Sequence, residues 1–424
     1  MALPTLDDVY DNSAPLYLGN GNGNSDRVFP GLIDELRISN VARSADWVKA
    51  THDCVADADF AAYDVGNDWA RYANKFTVTF AGAPAGETLS NFPVLVKVSE
   101  NNPEGFSYAD CRKPNGGDLR FADANGNLLP SEVDTWDENG VSLIWVKVPS
   151  LTSSTKISAY YGWKDAPPVD PTAVWDSNYV GIWHLGESAL PLKESSGRSY
   201  GFDTSSNGQE TLGATGVAGG CVDFSTGATA ISNRLTAAGS AAQSGFDDFT
   251  VELWSKQAST TDYTPYFLTK VDSRQYAYLF HQQRGSSPYD VFRISTNGTD
   301  SASISGSAMV PEMNEWYYHA IARDTTAPKA YCFMNGSPAP EGGVALPSGY
   351  DATMWQSTSL LYLGNAQTTA NRYGFPGKID ELRISNVARS AAWVKATYDT
   401  VKTAGFARYS STRVNNGATT IVFR

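Results

Sequence analysis

Glu132, Asp134 and Trp136 occupy alternate positions, so on a strand their side chains share one face. Two carboxylates on one face are the equipment of retaining glycoside hydrolysis, which needs them roughly 5–5.5 Å apart. Residues i and i+2 of a strand lie about 6.5–7 Å apart at Cα, so the geometry admits this chemistry. The competing reading is a structural strand end, because Asn139-Gly140 follows as a turn. A second cluster, Tyr263, Tyr266, Tyr276, Tyr278, Arg284 and Tyr289, crowds one strand–loop–strand stretch. Exposed rings with a few polar groups can grip the apolar face of a sugar. Tyr263, Tyr266, Tyr276, Arg284 and Tyr289 are therefore the candidate ligand contacts, against ordinary packing. His52, His184, His281 and His319 are scattered, and their order argues no Ser/His/Asp set. His184 and His319 fall inside strand motifs and read as packed or hydrogen-bonded core residues. No catalytic residue is assigned.

Cys54, Cys111, Cys221 and Cys332 form no C-x-x-C pair, which argues against a zinc site. Three disulfide pairings remain open. Cys54–Cys111 with Cys221–Cys332 would keep each bridge local to one domain.

These residues need elements to position them, and composition limits the choice. The chain has 424 residues, enough for two or three cores, with 18% charged and 12% aromatic residues. That mix argues against disorder and coiled coil. The net charge of −13 argues against non-specific nucleic-acid binding, which needs Lys and Arg for phosphate. No stretch approaches 18 apolar residues, so no transmembrane helix is expected. Met1–Asp8 lacks a basic segment and an apolar core, so it does not read as a signal peptide. The chain is then cytosolic, or a piece of a longer secreted protein.

A long repeat dominates the sequence. Leu16-Tyr17-Leu18-Gly19-Asn20 returns as Leu361-Tyr362-Leu363-Gly364-Asn365. Gly31–Ala50 returns as Gly377–Ala396, differing only at Leu32/Lys378 and Asp46/Ala392. The offset, 380 − 34 = 346 residues, is too long for a solenoid and marks duplication of a whole module. Residues 1–62 thus read as the closing strands of a module whose beginning is missing. Such strands expose unpaired backbone and an apolar face. They must pack on the next domain, pair with another chain, or belong to a fragment. Ser44 and Ser390 can cap one short helix per copy, with Trp47 or Trp393 packed inward. The recurring Asp34-Glu35 and Asp380-Glu381 read as salt-bridge partners of Arg37 and Arg383, with one acid of each pair exposed.

Elsewhere, period-two runs such as Phe76–Phe80, Val94–Val98, Ser142–Val148 and Phe249–Trp254 alternate with Asn-Gly turns. That spacing predicts an all-β chain. Lys164–Pro171 is Pro-rich and reads as a connector. The domains expected are 1–62, partial closing strands; 63–165, a small all-β sandwich; 166–174, a linker; 175–409, a jelly roll; and 410–424, a terminal strand or tail.

The ordered set Trp183-His184-Leu185, Gly219–Phe224, Phe249–Trp254, Trp316 with His319, Asn335-Gly336, Leu361–Asn365 and Gly377–Ser385 resembles the bacterial laminin-G-like / concanavalin-A-like lectin superfamily over about 175–400. Asn91–Val96, Asp118–Phe121, Leu129–Trp136, Ile144–Pro149 and Tyr160-Tyr161-Gly162 resemble a bacterial all-β family, domain of unknown function 2341. The resemblance implies a small β-sandwich followed by a jelly-roll sandwich of two antiparallel sheets. It also places Glu132 and Asp134 outside the jelly roll, and their spacing departs from the Glu-x-Asp-x-x-Glu pattern of laminarinase-type enzymes. Domains of this kind hold calcium at a sheet rim through oxygen ligands. Asp203, Asn207, Asp223, Asp247 and Asp248 are candidates, with no ligand set assignable. The cofactor expectation is otherwise none.

The functional expectation is a non-catalytic extracellular or surface module for adhesion. Its partner is carbohydrate or a cell-surface polymer, with self-association through residues 1–62. The alternatives are a repeat unit of a bacterial surface fibre and a glycoside hydrolase.

Overall fold

The computed structural model describes residues 18, 29–56, 69–206, 208–226, 233–259, 264–272, 275–283, 289–306, 311–366 and 373–414. The chain forms two units, one of residues 1–64 with 420–424 and one of residues 65–419.

In the first unit an extended stretch leads into helix α1, Ala45–Ala56. Ser44 accepts the Trp47 N–H at 3.1 Å, the expected cap. The stretch 29–44 has no strand partner among the described residues. Ile33, Leu36, Ile38, Trp47, Val48 and Val55 are exposed.

The second unit is all-β apart from short 3₁₀ turns and helix α2, Ala391–Lys402, capped by Ser390. Among the described residues it holds four sheets. Two small ones make the expected β-sandwich. One is built on Asn74–Thr79 and Lys156–Tyr161, the other on Leu89–Val98, Ser142–Leu151 and Ser131–Thr135. A nine-stranded and a seven-stranded sheet make the larger sandwich. Val251, Leu253 and Ile321 of the nine-stranded sheet meet Phe267, Phe280 and Phe292 of the other in one core.

The nine-stranded sheet is covered on its second face too. Trp254, Tyr318 and Ala320, which alternate with the inward residues, belong to the core of the small sandwich. Burial on both faces is why Phe249–Gln257 is buried at almost every position although its sequence alternates. The central strand is Gly377–Ser385. It pairs with Phe249–Gln257 on one side and with Gly220–Asp223 and Tyr179–Trp183 on the other.

The chain does not stay in the larger sandwich after this strand. Helix α2 crosses to the small one, where Trp393 meets Phe92 edge-on at 4.8 Å. Leu89–Val98 is an edge strand, and its free amides are capped by side chains. Thr400 Oγ1 accepts from Leu95 N–H at 2.8 Å, and Tyr409 Oη from Lys97 N–H at 2.9 Å. Arg408–Tyr409 and Arg413–Val414 then pair with Asn74–Thr79. The Pro-rich segment lies against the small sandwich, with Ala166 buried and the Pro167 carbonyl accepting from Arg120 Nε at 3.1 Å.

The Cys221–Cys332 bridge is not formed, and Cys111, Cys221 and Cys332 are free thiols. Cys221 and Cys332 lie on strands four places apart in one sheet, roughly 19 Å at about 4.8 Å per step. A disulfide requires Cα atoms within about 7 Å. The side chain of Cys54 lies outside the described residues.

Trp393→Ala is expected to destabilise the second unit by roughly 3 kcal/mol, the usual cost of emptying a buried aromatic site. Trp47→Ala should leave the same urea transition unmoved. Equal shifts would show that the two equivalent tryptophans are packed alike.

Candidate functional site

The strand Ser131–Thr135 places Glu132 and Asp134 on a common face, as alternation predicts, and turns them toward the larger sandwich. His184, just after strand Tyr179–Trp183, meets them there. Its Nδ1 lies 2.7 Å from Glu381 Oε1 and 3.8 Å from Asp134 Oδ2, and its Nε2 lies 3.4 Å from Glu132 Oε2. Trp175 Nε1 donates to Glu132 at 2.7 Å, and Arg383 pairs with Glu381 at 2.6 Å. The Arg383 guanidinium lies over the Trp145 ring at 4.3 Å.

Glu381 reaches this cluster because the closing strand carries a bulge. Arg383 faces Glu252 and Asp380 faces Trp254, so two residues, Glu381 and Leu382, oppose the single Leu253. Glu381 adopts a positive φ of 50°, a strained conformation for a non-glycine residue. The irregularity also corrects one expectation, since both acids are buried and neither is exposed. Asp380 instead accepts the N–H groups of Val217 and Ala218 at 2.8 and 3.0 Å.

Burial pushes the Asp134 carboxyl up to about 7, against the pull of His184. Burial alone would lower the His184 pKa, but Glu381, Asp134 and Glu132 outweigh it and hold the imidazole well above its ordinary value. Glu381 is kept below the usual range, because His184 and Arg383 overcome its burial. The cluster thus carries a charged His184–Glu381–Arg383 core with a neutralisable acid beside it. It borders a cavity of about 440 Å³ lined also by Glu187, Ser188, Lys193 and Ser195. Asp134, His184 and Glu381 are the one group of three His, Cys, Asp or Glu side chains among the described residues with ligand atoms close enough to share a metal ion. Salt bridges and Trp N–H donors already occupy these atoms, so the set works as a lock between the two sandwiches.

A second polar constellation lies inside the larger sandwich. Ser255 Oγ is 2.8 Å from His319 Nε2, and His319 Nδ1 is 2.6 Å from Asp290 Oδ2. This is the nucleophile–base–orienter order of a hydrolase triad, which residue order alone could not show. His319 is fully buried, with Phe267 and Phe280 beside its ring. Without access for substrate the trio is a strut joining the two sheets. His319 as a hydrogen-bonded core residue agrees with the sequence reading.

The aromatic cluster separates. Tyr278 is core, stacked on Phe292 at 5.7 Å. Tyr266 is half-buried and lies parallel to Tyr373 at 4.6 Å, with an interplanar angle of 3°. Tyr266 also sits across from His281, at 5.3 Å between centroids. His281 is buried, and among the described residues neither ring nitrogen has a side-chain hydrogen-bond partner. Tyr289 is half-buried at the start of the next strand. Tyr263, Arg284 and the side chain of Tyr276 lie outside the described residues. Tyr373 was missed because it stands about 100 residues away in sequence. Of the calcium candidates, Asp223 binds Ser225, Asp247 binds Thr353, Asp248 binds Thr325, and Asp203 binds Thr204. Asn207 lies outside the described residues.

Residues 225–395 match the family model described as the concanavalin A-like lectin/glucanases superfamily, and residues 115–180 match that of domain of unknown function 2341. The first of these matches falls within the larger sandwich. The chain is similar in structure to the binding domain of Paraclostridial Mosquitocidal Protein 1, at 13% identity and TM-score 0.41, covering 53% of this chain and 52% of that one. It is also similar to the receptor-binding domain of botulinum neurotoxin type G, at 14% identity and TM-score 0.39, covering 53% and 51%. A heptameric SAP-like pentraxin from Limulus polyphemus gives 16% identity and TM-score 0.30, covering 36% and 70%. The chain thus spans about half the length of the two toxin domains. No curated protein matches it by sequence.

The raised acid fixes a pH dependence. Asp134 keeps in the fold, between about pH 4 and 7, a proton that the unfolded chain has lost, so its contribution to stability falls as pH rises through that window. Asp134→Asn removes this term. Relative to the unsubstituted chain, the variant should gain on the order of 4 kcal/mol between pH 4 and 8, measured by urea unfolding. A difference that stays constant with pH would show that Asp134 is ionised in the fold.

Proposed function

We propose that the concanavalin A-like sandwich is a non-catalytic carbohydrate-binding module of a protein that works outside the cell or on its surface. The observation that carries this reading is the Tyr266–Tyr373 pair, two half-buried rings stacked in parallel beside the buried His281. Flat apolar faces next to a buried polar group suit a sugar, whose ring is apolar on one face and rimmed by hydroxyls. Tyr289, half-buried at the start of a neighbouring strand, is included in the proposed contact surface; Tyr263, Arg284 and the side chain of Tyr276 lie outside the described residues. The match to a superfamily of lectins and glucanases supports the class of ligand. Among the described residues no helix is long and apolar enough to cross a membrane.

A glycan array probed with the whole chain is expected to give hits. Tyr266→Ala and Tyr373→Ala should each weaken binding at least tenfold, about 1.4 kcal/mol, by titration calorimetry. An array without hits, or hits that neither substitution alters, would remove this assignment.

The second reading, glycoside hydrolysis, has one observation in its favour: Asp134, held near neutrality beside Glu132, borders a cavity. Asp134 accepts from Trp145 within the small sandwich and Glu132 is engaged by Trp175 and His184 nitrogens, so Glu132→Gln is expected to lower thermal stability. Turnover of β-glucan by the unsubstituted chain, abolished in Glu132→Gln, would establish the enzyme instead.

A further inference from the structure

A groove of about 370 Å³ runs over the outer face of the small sandwich and shares no residue with the junction cluster or the tyrosine pair. In strand Asn74–Thr79, Phe76 and Val78 belong to the core, so Lys75, Thr77 and Thr79 point outward. In the neighbouring strand Lys156–Tyr161, Ile157, Ala159 and Tyr161 are buried, which turns Lys156 outward as well. On the other side of Asn74–Thr79, Arg408 stands opposite Thr79 and Arg413 opposite Lys75, so both share that face. The register thus sets two pairs of cations. Arg408 and Lys156 flank Thr79, and Arg413 lies beside Lys75. Four strand steps separate the pairs, roughly 13 Å at about 3.3 Å per residue.

All four cations line this groove with the hydroxyls of Thr77 and Thr79, and no carboxylate lines it. Lys156, Arg408 and Arg413 are exposed and Lys75 is half-buried. None of the four has an acidic partner among the described residues. Acids are not scarce, since Asp and Glu outnumber Lys and Arg by 45 to 32 in the chain. Like charges directly opposite each other, as Lys75 and Arg413 are, weaken a sheet. An anion in the groove offsets that repulsion, and the planar arginine forks match a carboxylate in particular.

We propose that this groove binds a linear acidic polysaccharide, with sugar carboxylates seated on the two cation pairs and the uncharged stretch between them lying over the Thr77 and Thr79 hydroxyls. Two separated charge clusters with hydroxyls between them complement a chain whose charges are spaced along a hydroxyl-rich backbone. Nucleic acid fits less well. A duplex carries one charge per roughly 1.7 Å of axis, far denser than the two cation pairs. Single strands are held by stacking bases on exposed rings, whereas the rings at this groove, Phe76 and Tyr409, pack with the core. The groove lies on a different sandwich from the Tyr266–Tyr373 surface and needs nothing from it.

The test titrates the full chain with polygalacturonate by calorimetry at low ionic strength. Binding is expected, and it should weaken as sodium chloride is added, because exposed charges are screened. Lys156→Gln with Arg408→Gln, and separately Lys75→Gln with Arg413→Gln, should each weaken it by about tenfold or more. The four side chains lie outside the core, so both double variants should keep or exceed the unsubstituted urea midpoint. Tyr266→Ala should leave this titration unchanged, which separates the groove from the tyrosine surface. No binding, binding that neither double variant weakens, or monomeric galacturonate binding as tightly as the polymer overturns the proposal. So does tighter binding of single-stranded DNA that the same substitutions weaken, which would make the groove a nucleic-acid site.

Discussion

A strand in the middle of a sheet must satisfy hydrogen bonds on both edges and bury both faces. Gly377–Ser385 does this late in the chain, after most of the strands it joins have been made. Without it, Phe249–Gln257 would keep a single ladder, and Tyr179–Trp183 and Gly220–Asp223 would lose their link to the rest of the sheet. The same strand carries Glu381 and Arg383 to the junction with the small sandwich. Long-range pairing of this kind costs loop closure before it returns any contact. The Ala391–Val414 tail then anchors the strand's end on the small sandwich through Trp393, Thr400 and Tyr409.

Much of this was legible in the sequence. Period-two runs and Asn-Gly turns announce strands directly, because pleating and turn chemistry are local. The caps at Ser44 and Ser390 are local too. The crossing of α2 to the small sandwich was not legible, since nothing in Ala391–Lys402 says which surface its apolar face covers. The second burial of the nine-stranded sheet was not legible, because Phe249–Gln257 carries Thr250, Glu252 and Lys256 among its outward positions and reads as a one-sided strand. The disulfide preference failed because nearness in domain is not nearness in a sheet, and Cys221 and Cys332 lie four strands apart.

The polar networks were the least legible part. Ser255, His319 and Asp290 come from three strands, and only packing the two sheets brings them together. Glu132 and Asp134 were singled out as paired acids, and the pairing on one face is real. Their partners, His184 and Glu381, stand about 50 and 250 residues further on. What decides their chemistry is engagement rather than spacing. A carboxylate that accepts from Trp175 and His184 in a buried junction is committed to those donors, and leaving either unpaired would cost more than the contact returns.

The duplicated segment separates local from global causes within one molecule. The same residues stand with and without a surrounding sheet. The Glu35/Glu381 φ, the Arg–Glu pair, the Ser cap and the Arg–Trp stack are common to both copies, so they arise from contacts within the segment. Among the described residues, ladder pairing and burial are found in the second copy, so they are the contribution of the surrounding sheet. A strained φ at a charged residue is usually assigned to its tertiary surroundings. Here the Arg37–Glu35 pair, two residues apart, accompanies it where those surroundings are missing from the described residues. The bulge that aims Glu381 at His184 is therefore written into the segment, and the sandwich selects a shape that the segment already has.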